Sequence, residues 1–341
     1  MKESPEYLKI STASAMALDL KPGRFYRGAV NPCINLLLTY EKGCYANCAY
    51  CGLAARRPGA YENKSFIHVA WPTVDLHTLV ERMKERENRL KRVCISMVTN
   101  PRAVEDTLVV AGAVRNGVNL PLSLLISPTL VKDGHMERFK QTGADMVGVA
   151  LDAATEDLFA KHRGSGVKGP HRWGHYEKVL KEALEIFCRG NVSVHLVVGL
   201  GESEQEMVET FQRVHDRGAL IHLFSFFAEA GSVLQDRPQP PWASYLRLQL
   251  ARWLIENDRV RLESFSFDEG GRITGFGVDG EQLDSVVNSG LPFLTSGCPG
   301  EDGSVACNRP FGNCLPDVRQ WNYPYLPNQE ELAQIREGLG L

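Results

Sequence analysis

A chain of 341 residues is too long for one small core and fits a single barrel of repeated βα units with terminal extensions. Its hydrophobic content of 43% and charged content of 23% exclude a disordered or low-complexity chain. A net charge of −3 leaves no generic basic footprint for nucleic acid, and no apolar run approaches membrane-spanning length.

In chain order, β-rich apolar runs alternate with helical periodicity, the pattern of an α/β fold with a parallel sheet. Strands are predicted at Ile34–Thr39, Val93–Val98, Leu120–Ile126, Met146–Leu151, Val192–Val198, Ile221–Phe226, Arg261–Phe267 and Pro292–Thr295. Between them lie predicted helices at Val74–Leu90, Val104–Asn116, Gly134–Gln141, His175–Phe187, Glu204–Arg217, Trp242–Asn257 and Gly280–Asn288. Ser203 with Glu206 forms a capping box that opens the fifth of these helices, and Pro240-Pro241 starts the sixth. Eight such units close a (β/α)8 TIM-type barrel. The last two strands are short and weakly patterned, so a partial barrel of six is the alternative. The predicted division is an N-terminal extension over 1–30, a barrel over 31–295 and a C-terminal segment over 296–341.

Met1–Pro5 offers no basic region followed by an apolar stretch, which predicts a cytoplasmic chain. In that reducing compartment nine cysteines, concentrated in two stretches, read as metal ligands in preference to disulfides. The first stretch, Gly43-Cys44-Tyr45-Ala46-Asn47-Cys48-Ala49-Tyr50-Cys51-Gly52, follows the first predicted strand and falls in a loop at the C-terminal mouth of the barrel. Three thiolates at C-x-x-x-C-x-x-C spacing can hold three irons of a cubane. The fourth iron is left open to chelate the amino and carboxylate groups of a small molecule. The competing reading is zinc, which normally takes four ligands.

The second stretch carries Cys298, Cys307 and Cys314 in a Gly/Pro-rich loop, and suggests an auxiliary iron–sulfur cluster whose fourth ligand is Ser296, Ser304, Arg309 or a substrate. If Pro292–Thr295 is the eighth strand, Cys298 emerges at the same mouth as the first stretch. A zinc clamp or unligated thiols are the alternatives. Cys33, Cys94 and Cys188 read as small core residues. Gly199 and Gly201, in Val197-Val198-Gly199-Leu200-Gly201-Glu202, let the backbone approach a ligand at a helix N-terminus. Asp152 ends the fourth strand, where its carboxylate can accept from two ribose hydroxyls or cap the helix that follows. Arg163 and Arg172 flank a glycine-rich loop and could each bind a carboxylate bidentately.

The cysteine motif, with Tyr50 just before its third cysteine, resembles that of the radical S-adenosylmethionine (SAM) superfamily. The resemblance implies a [4Fe–4S] cluster on Cys44, Cys48 and Cys51 that reductively cleaves S-adenosyl-L-methionine. It also implies an adenine contact from Tyr50 and from the Gly199, Gly201 and Glu202 element, ribose binding by Asp152, and methionine binding by Arg163 or Arg172. Val98-Thr99-Asn100-Pro101 stands where many members carry Gly-Gly-Glu, and is similar to the Asn-Pro of the biotin-synthase branch. Biotin synthase holds a sulfur-donating cluster on cysteines of its second, third and fifth strands plus an arginine. Here only Cys94 sits comparably, the third strand has no cysteine and Ser193 occupies the fifth-strand place.

The segment Cys298-Pro299-Gly300 to Ala306-Cys307-Asn308-Arg309-Pro310 resembles the two-component lipoyl synthases of archaea and some bacteria. That resemblance implies a sulfurtransferase with a second, auxiliary [4Fe–4S] cluster, inserting one sulfur into an octanoyl chain. It also implies a sister synthase subunit, an octanoylated lipoyl-carrier protein and an electron donor such as ferredoxin or flavodoxin. Arg56, Arg57 or a basic helix from Arg82 to Arg92 could form a rim for an acidic carrier. Other readings keep the radical chemistry for methyl transfer, rearrangement or cofactor maturation, with the second cluster relaying electrons, or make the chain a zinc-binding scaffold.

Overall fold

The computed structural model describes residues 2–60, 64, 69–310 and 320–341. The chain opens with strand β1 (Tyr7–Ile10), helix α1 (Thr12–Ala17) and strands β2 (Cys33–Leu38) and β3 (Thr73–Asp75). Helix α2 (Leu76–Glu85), β4 (Arg92–Ser96), α3 (Ala103–Gly117), β5 (Leu122–Ile126) and α4 (His135–Gln141) follow. Next come β6 (Met146–Asp152), α5 (Glu156–His162), α6 (Trp173–Phe187), β7 (Val192–Val198), α7 (Glu204–Arg217) and β8 (Leu220–Ser225). The remainder comprises α8 (Trp242–Glu256), β9 (Ser266–Phe267), β10 (Ile273–Gly275), α9 (Gly280–Asn288) and α10 (Gln329–Leu339).

β2, β4, β5, β6, β7 and β8 are neighbours in that order and all parallel. Their side chains are buried on nearly every position, as expected of strands covered by helices on one face and core on the other. β1 and β3 extend the sheet antiparallel beyond β2, so the predicted N-terminal extension is part of the sheet. The sheet's edges are β3 and β8, which gives a partial barrel of six parallel strands.

The two last predicted strands are not in that sheet. Leu262–Ser264 is a 3-10 turn, and Ser266–Phe267 pairs with Ile273–Gly275 in a separate hairpin. Leu291–Phe293 is also a 3-10 turn, entered from Gly290 at φ 70° and carrying Pro292, which has no amide to donate to a ladder. Of that run only Leu294 bridges onward, to Tyr323, and α10 packs on α8. Helix α5 is not among the predicted elements; its cap is Thr155, whose hydroxyl accepts the Leu158 amide, and not Asp152.

The separate hairpin is pinned by a buried ion pair. Arg247 of α8 donates from Nε to Glu204 of α7 at 2.9 Å, and the same carboxylate accepts the Ile273 amide at 2.9 Å. Both side chains are buried, so removing one partner strands a charge in the interior. Arg247→Ala is therefore expected to lower unfolding stability by about 3–5 kcal/mol in a denaturant titration. A loss below about 1 kcal/mol would contradict this account.

Candidate active site

Because the six strands run in one direction, their last residues form one end of the half-barrel, the mouth, and their first residues form the other, the floor. The loop after β2 carries Cys44, Cys48 and Cys51 at the mouth. Its shape is held from outside the motif. The Tyr45 amide donates to the Thr99 carbonyl at 2.7 Å, Asn100 Nδ2 to the Gly43 carbonyl at 3.2 Å, and the Ala49 amide to the His162 carbonyl at 2.8 Å. Asn47 Nδ2 reaches the Val167 carbonyl at 2.9 Å while its Oδ1 accepts the Arg56 amide at 3.2 Å. The Thr99-Asn100 element thus braces the cysteine loop through its backbone.

The three motif thiols line a cavity of about 290 Å³. Burial, followed by the neighbouring thiols of Cys48 and Cys44, pushes the Cys51 thiol well up. The Leu53 amide points at Cys51 Sγ from 3.4 Å, a donor suited to a metal-bound thiolate. This donor set of three thiols facing a cavity fits a cubane with one open iron.

Asp152 ends β6 in a left-handed conformation, φ 65°, at a register shift between Ala150 and Asp152. For a residue with a Cβ that backbone costs about 1 kcal/mol, and it turns the carboxylate into the cavity. There it accepts the Tyr50 hydroxyl and pairs with Arg163 at 3.3 Å. Burial pushes the Tyr50 phenol well up, keeping it a donor. Arg163 is buried between the rings of Phe159 and Tyr176, at 5.3 and 5.2 Å, and donates to the carbonyls of Ala150 and Leu151. Tyr50, Asp152 and Arg163 all line the cavity with the motif cysteines.

The other expected ligand-binding residues face elsewhere. Arg172 donates to the carbonyls of Gly169 and His171 at 3.0 and 2.8 Å, and it does not line the cavity. Nor do Gly199, Gly201 or Glu202, because Glu202 folds back on its own loop. Its carboxylate accepts the Gly199 amide at 2.5 Å and the Leu200 amide at 3.0 Å. Gly199 is required where it stands, since φ is 109° and a Cβ would come within 2.9 Å of Pro240 Cδ.

The second cysteine stretch lies at the opposite end from that expected. With Pro292–Phe293 in a turn, residues 298–307 run to the floor and form a small hairpin bridged at Pro299 and Val305. The Cys307 amide donates to the Cys298 carbonyl at 3.1 Å. Arg92, at the start of β4, clamps the hairpin from Nε to the Pro299 carbonyl at 2.5 Å and pairs with Asp145 at 2.6 Å. Lys91 holds Asp302 at 2.6 Å. Cys298 and Cys307 are buried and line the same cavity as the motif thiols, whereas Cys314 lies outside the described residues. Of the other suggested fourth ligands, Ser296 Oγ accepts the Leu223 amide at 2.7 Å and Ser304 is exposed beside Lys91.

Sequence reasoning missed the company these two cysteines keep. Cys33, the first residue of β2, and Cys94 on β4 pack with Cys298, Cys307 and Met146 in a side-chain cluster separate from the main core. Asn35 Nδ2 lies 3.8 Å from Cys33 Sγ and 3.4 Å from Cys307 Sγ. A hydrogen bond from Cys33, then the Arg309 guanidinium, holds the Cys307 thiol well down, while burial pushes Cys94 up. Cys188, by contrast, is exposed at the end of α6 and is not a core residue. Among the described residues no three Cys, His, Asp or Glu side chains converge on a single ion. A cubane does not require that convergence, because its thiolates bind separate irons.

Histidines 195 and 222 form a pair beside this floor, 3.2 Å apart, both lining the cavity. Burial holds His195 down to about 3 and His222 well below its ordinary value, so both are neutral at physiological pH. The rim expected to greet an acidic partner is largely engaged. Arg57 donates to the Ala230 and Gly52 carbonyls, Arg82 pairs with Glu85, Arg86 with Asp19, and Arg92 is buried. No helix among the described residues is long and apolar enough to cross a membrane.

A half-barrel whose first parallel strand delivers three thiols to a cavity defines a class of iron–sulfur radical enzymes, and sequence comparison agrees. Residues 40–214, half of the chain, match the radical SAM superfamily model, and the chain belongs to that family. It is 27% identical over 172 residues to biotin synthase of Albidiferax ferrireducens, spanning 50% of this chain and 45% of that protein. The chain thus matches just under half the length of its curated relative. In fold it is similar to the FeFe-hydrogenase maturase HydG of Carboxydothermus hydrogenoformans, with a TM-score of 0.51 and 14% identity over 73% of this chain and 56% of that one. SuiB of Streptococcus suis gives a TM-score of 0.47 at 14% identity, over 64% and 45%. Membership implies a [4Fe–4S] cluster and S-adenosyl-L-methionine as cosubstrate.

The Glu202 contacts yield a direct test. Glu202→Ala removes the acceptor of two backbone amides, each such charged bond being worth about 1.5–3 kcal/mol. Hydrogen exchange over the peptide containing Gly199 and Leu200 is expected to accelerate about tenfold to a hundredfold, and unchanged exchange would refute the assignment.

Proposed function

We propose that this chain is a radical SAM sulfurtransferase that inserts sulfur into an alkyl chain, one subunit of a two-component lipoyl synthase acting on an octanoyl group carried by a lipoyl-carrier protein. The observation that carries this reading is a single cavity with thiols at both ends. Cys44, Cys48 and Cys51 line one end, Cys94, Cys298 and Cys307 the other, and the walls between include Leu37, Met97, Leu125, Ile126, Val197 and Phe226. Apolar walls suit an aliphatic chain, which offers no hydrogen bonds, and exclude the water that would quench a radical.

When bound, the first cluster and its cosubstrate supply an electron and a carbon radical that takes hydrogen from the alkyl chain, and a second cluster supplies sulfide. The chain's own residues do the placing. Tyr50 and Asp152 present a donor and an acceptor beside the motif cysteines, where a nucleoside's polar edge needs both. Arg163 pairs with Asp152 from the buried side, so neither charge is left unpaired in an apolar setting. Cys298 and Cys307 hold sulfur chemistry at the far end of the cavity. The sister subunit, the acylated carrier and a ferredoxin or flavodoxin complete the proposal as partners, since the reaction needs a second sulfur, a substrate and an electron.

The reconstituted chain, incubated without oxygen with an octanoyl-lysine peptide, S-adenosyl-L-methionine and reductant, is expected to yield a peptide heavier by one sulfur in mass spectrometry. Cys44→Ala should abolish 5′-deoxyadenosine release, whereas Cys307→Ala should keep part of it and lose the sulfur-bearing product. Equal loss of both signals in Cys307→Ala, or no sulfur-bearing product from the unaltered chain, would overturn the reading.

A further inference from the structure

The C-terminal segment was expected to carry its own three cysteines, yet two of them meet thiols from the other end of the chain. Cys33 opens β2 and Cys94 sits three residues into β4, next to one another in a parallel pair whose register sets Cys94 opposite Asn35. The 298–307 hairpin closes the floor beneath them and delivers Cys298 and Cys307 to the same buried side-chain cluster. All four are at most 9% exposed. Buried free cysteine is common as a small apolar filler. Four in one contact cluster, drawn from two strands and a clamped hairpin, are more than filler requires.

The surroundings carry a second, independent sign. His222 Nε2 and Ser193 Oγ are buried at 2% and 1% exposure, and no hydrogen-bond partner meets either among the described residues. Ser193 is the second residue of β7 and His222 the third of β8, so both lie toward the floor. A buried polar atom left unpaired costs about 1–3 kcal/mol, a cost that a polar inorganic group seated among the thiols would offset. Asn35 Nδ2, poised between Cys33 and Cys307, and Arg309, whose guanidinium lies 3.7 Å from Cys307 Sγ, are the donors that thiolate-bound clusters use to spread their negative charge.

We propose that Cys33, Cys94, Cys298 and Cys307 are the ligands of the second iron–sulfur cluster, seated in the floor of the half-barrel. This assignment deepens the sulfur-insertion reading and rests on it only for the existence of a second cluster. It gives the two strand cysteines a metal-binding role, and ties the C-terminal hairpin to β2 and β4 through the metal.

The test starts from the full chain with Cys44, Cys48 and Cys51 all changed to Ala, reconstituted anaerobically with iron and sulfide. This variant is expected to hold about four irons and four sulfides, as one cubane does. Adding Cys33→Ala or Cys94→Ala should at least halve that content. Cys33→Ser and Cys94→Ser, which keep the size and offer an oxygen ligand, should change the electron paramagnetic resonance spectrum of the reduced cluster. Cys188→Ala should change neither, and near-ultraviolet circular dichroism of each metal-free variant reports its fold. Should the starting variant bind no iron, the second cluster and the sulfur-insertion reading fall together. Full iron content and an unaltered spectrum in the folded Cys33 and Cys94 variants would overturn this ligand set while leaving a second cluster standing.

Discussion

The structure depends on the parallel pairing of β2 with β4, which sets the depth of every functional side chain below the mouth of the half-barrel. A strand advances about 3.3 Å per residue, so the six residues of β2 span roughly 17 Å from Cys33 to Leu38. The loop after β2 is held at one end by Thr99 and Asn100, which follow β4. At the other end Arg92, which opens β4, grips the hairpin of Cys298 and Cys307. One strand pair therefore positions two groups of thiols at opposite ends of one cavity. A shift of one residue in its register would turn Asn35 and Cys94 away from each other and take the floor apart.

Electrostatics follows from that geometry. The cavity walls are largely apolar, and the Asp152 carboxylate that reaches them is matched from behind by Arg163, while the buried Arg92, outside the cavity lining, is matched by the half-exposed Asp145. Asp152 is held in place by three unlike contacts, its left-handed backbone, the Tyr50 hydroxyl and the Arg163 guanidinium. The same economy appears in the Gly199 to Glu202 loop, where the carboxylate turns inward to its own amides and leaves the mouth to Tyr50 and Asp152.

How much of this was legible in the sequence can be judged residue by residue. The six parallel strands were readable because strands buried on both faces give apolar runs that helical periodicity does not imitate. The cysteine motif was readable because its spacing is local. The last two expected strands failed for the converse reason: Arg261–Phe267 mixes polar and apolar residues and Pro292–Thr295 is only four residues long, so nothing in either distinguishes a turn from a strand. The Gly199 to Glu202 element suggested ligand contacts because its glycines are unusual, but Gly199 answers to the close approach of Pro240, a residue about 40 positions away. Cys33 and Cys94 looked like filler, since no periodicity or spacing relates a residue at position 33 to one at position 307. Only the topology does.

The placement of the hairpin also bears on why the chain's ends meet. Arg27 pairs with Glu331 of α10 and stacks on Tyr325 at 4.6 Å, and Asn308 Nδ2 donates to the Val30 carbonyl at 2.8 Å. These contacts join the segment just before β2 to the segment just after the hairpin, next to where Cys33 meets Cys307. An exposed ion pair alone contributes little, but together with the Arg92 clamp these protein contacts hold the two segments at one place without drawing on a metal. If the floor thiols do hold a cluster, that preorganisation means metal binding has little chain left to order, so more of its binding energy is retained as affinity. The hairpin is then both lid and ligand for the floor, and the half-barrel, open along its edges, is closed where its chemistry needs water kept out.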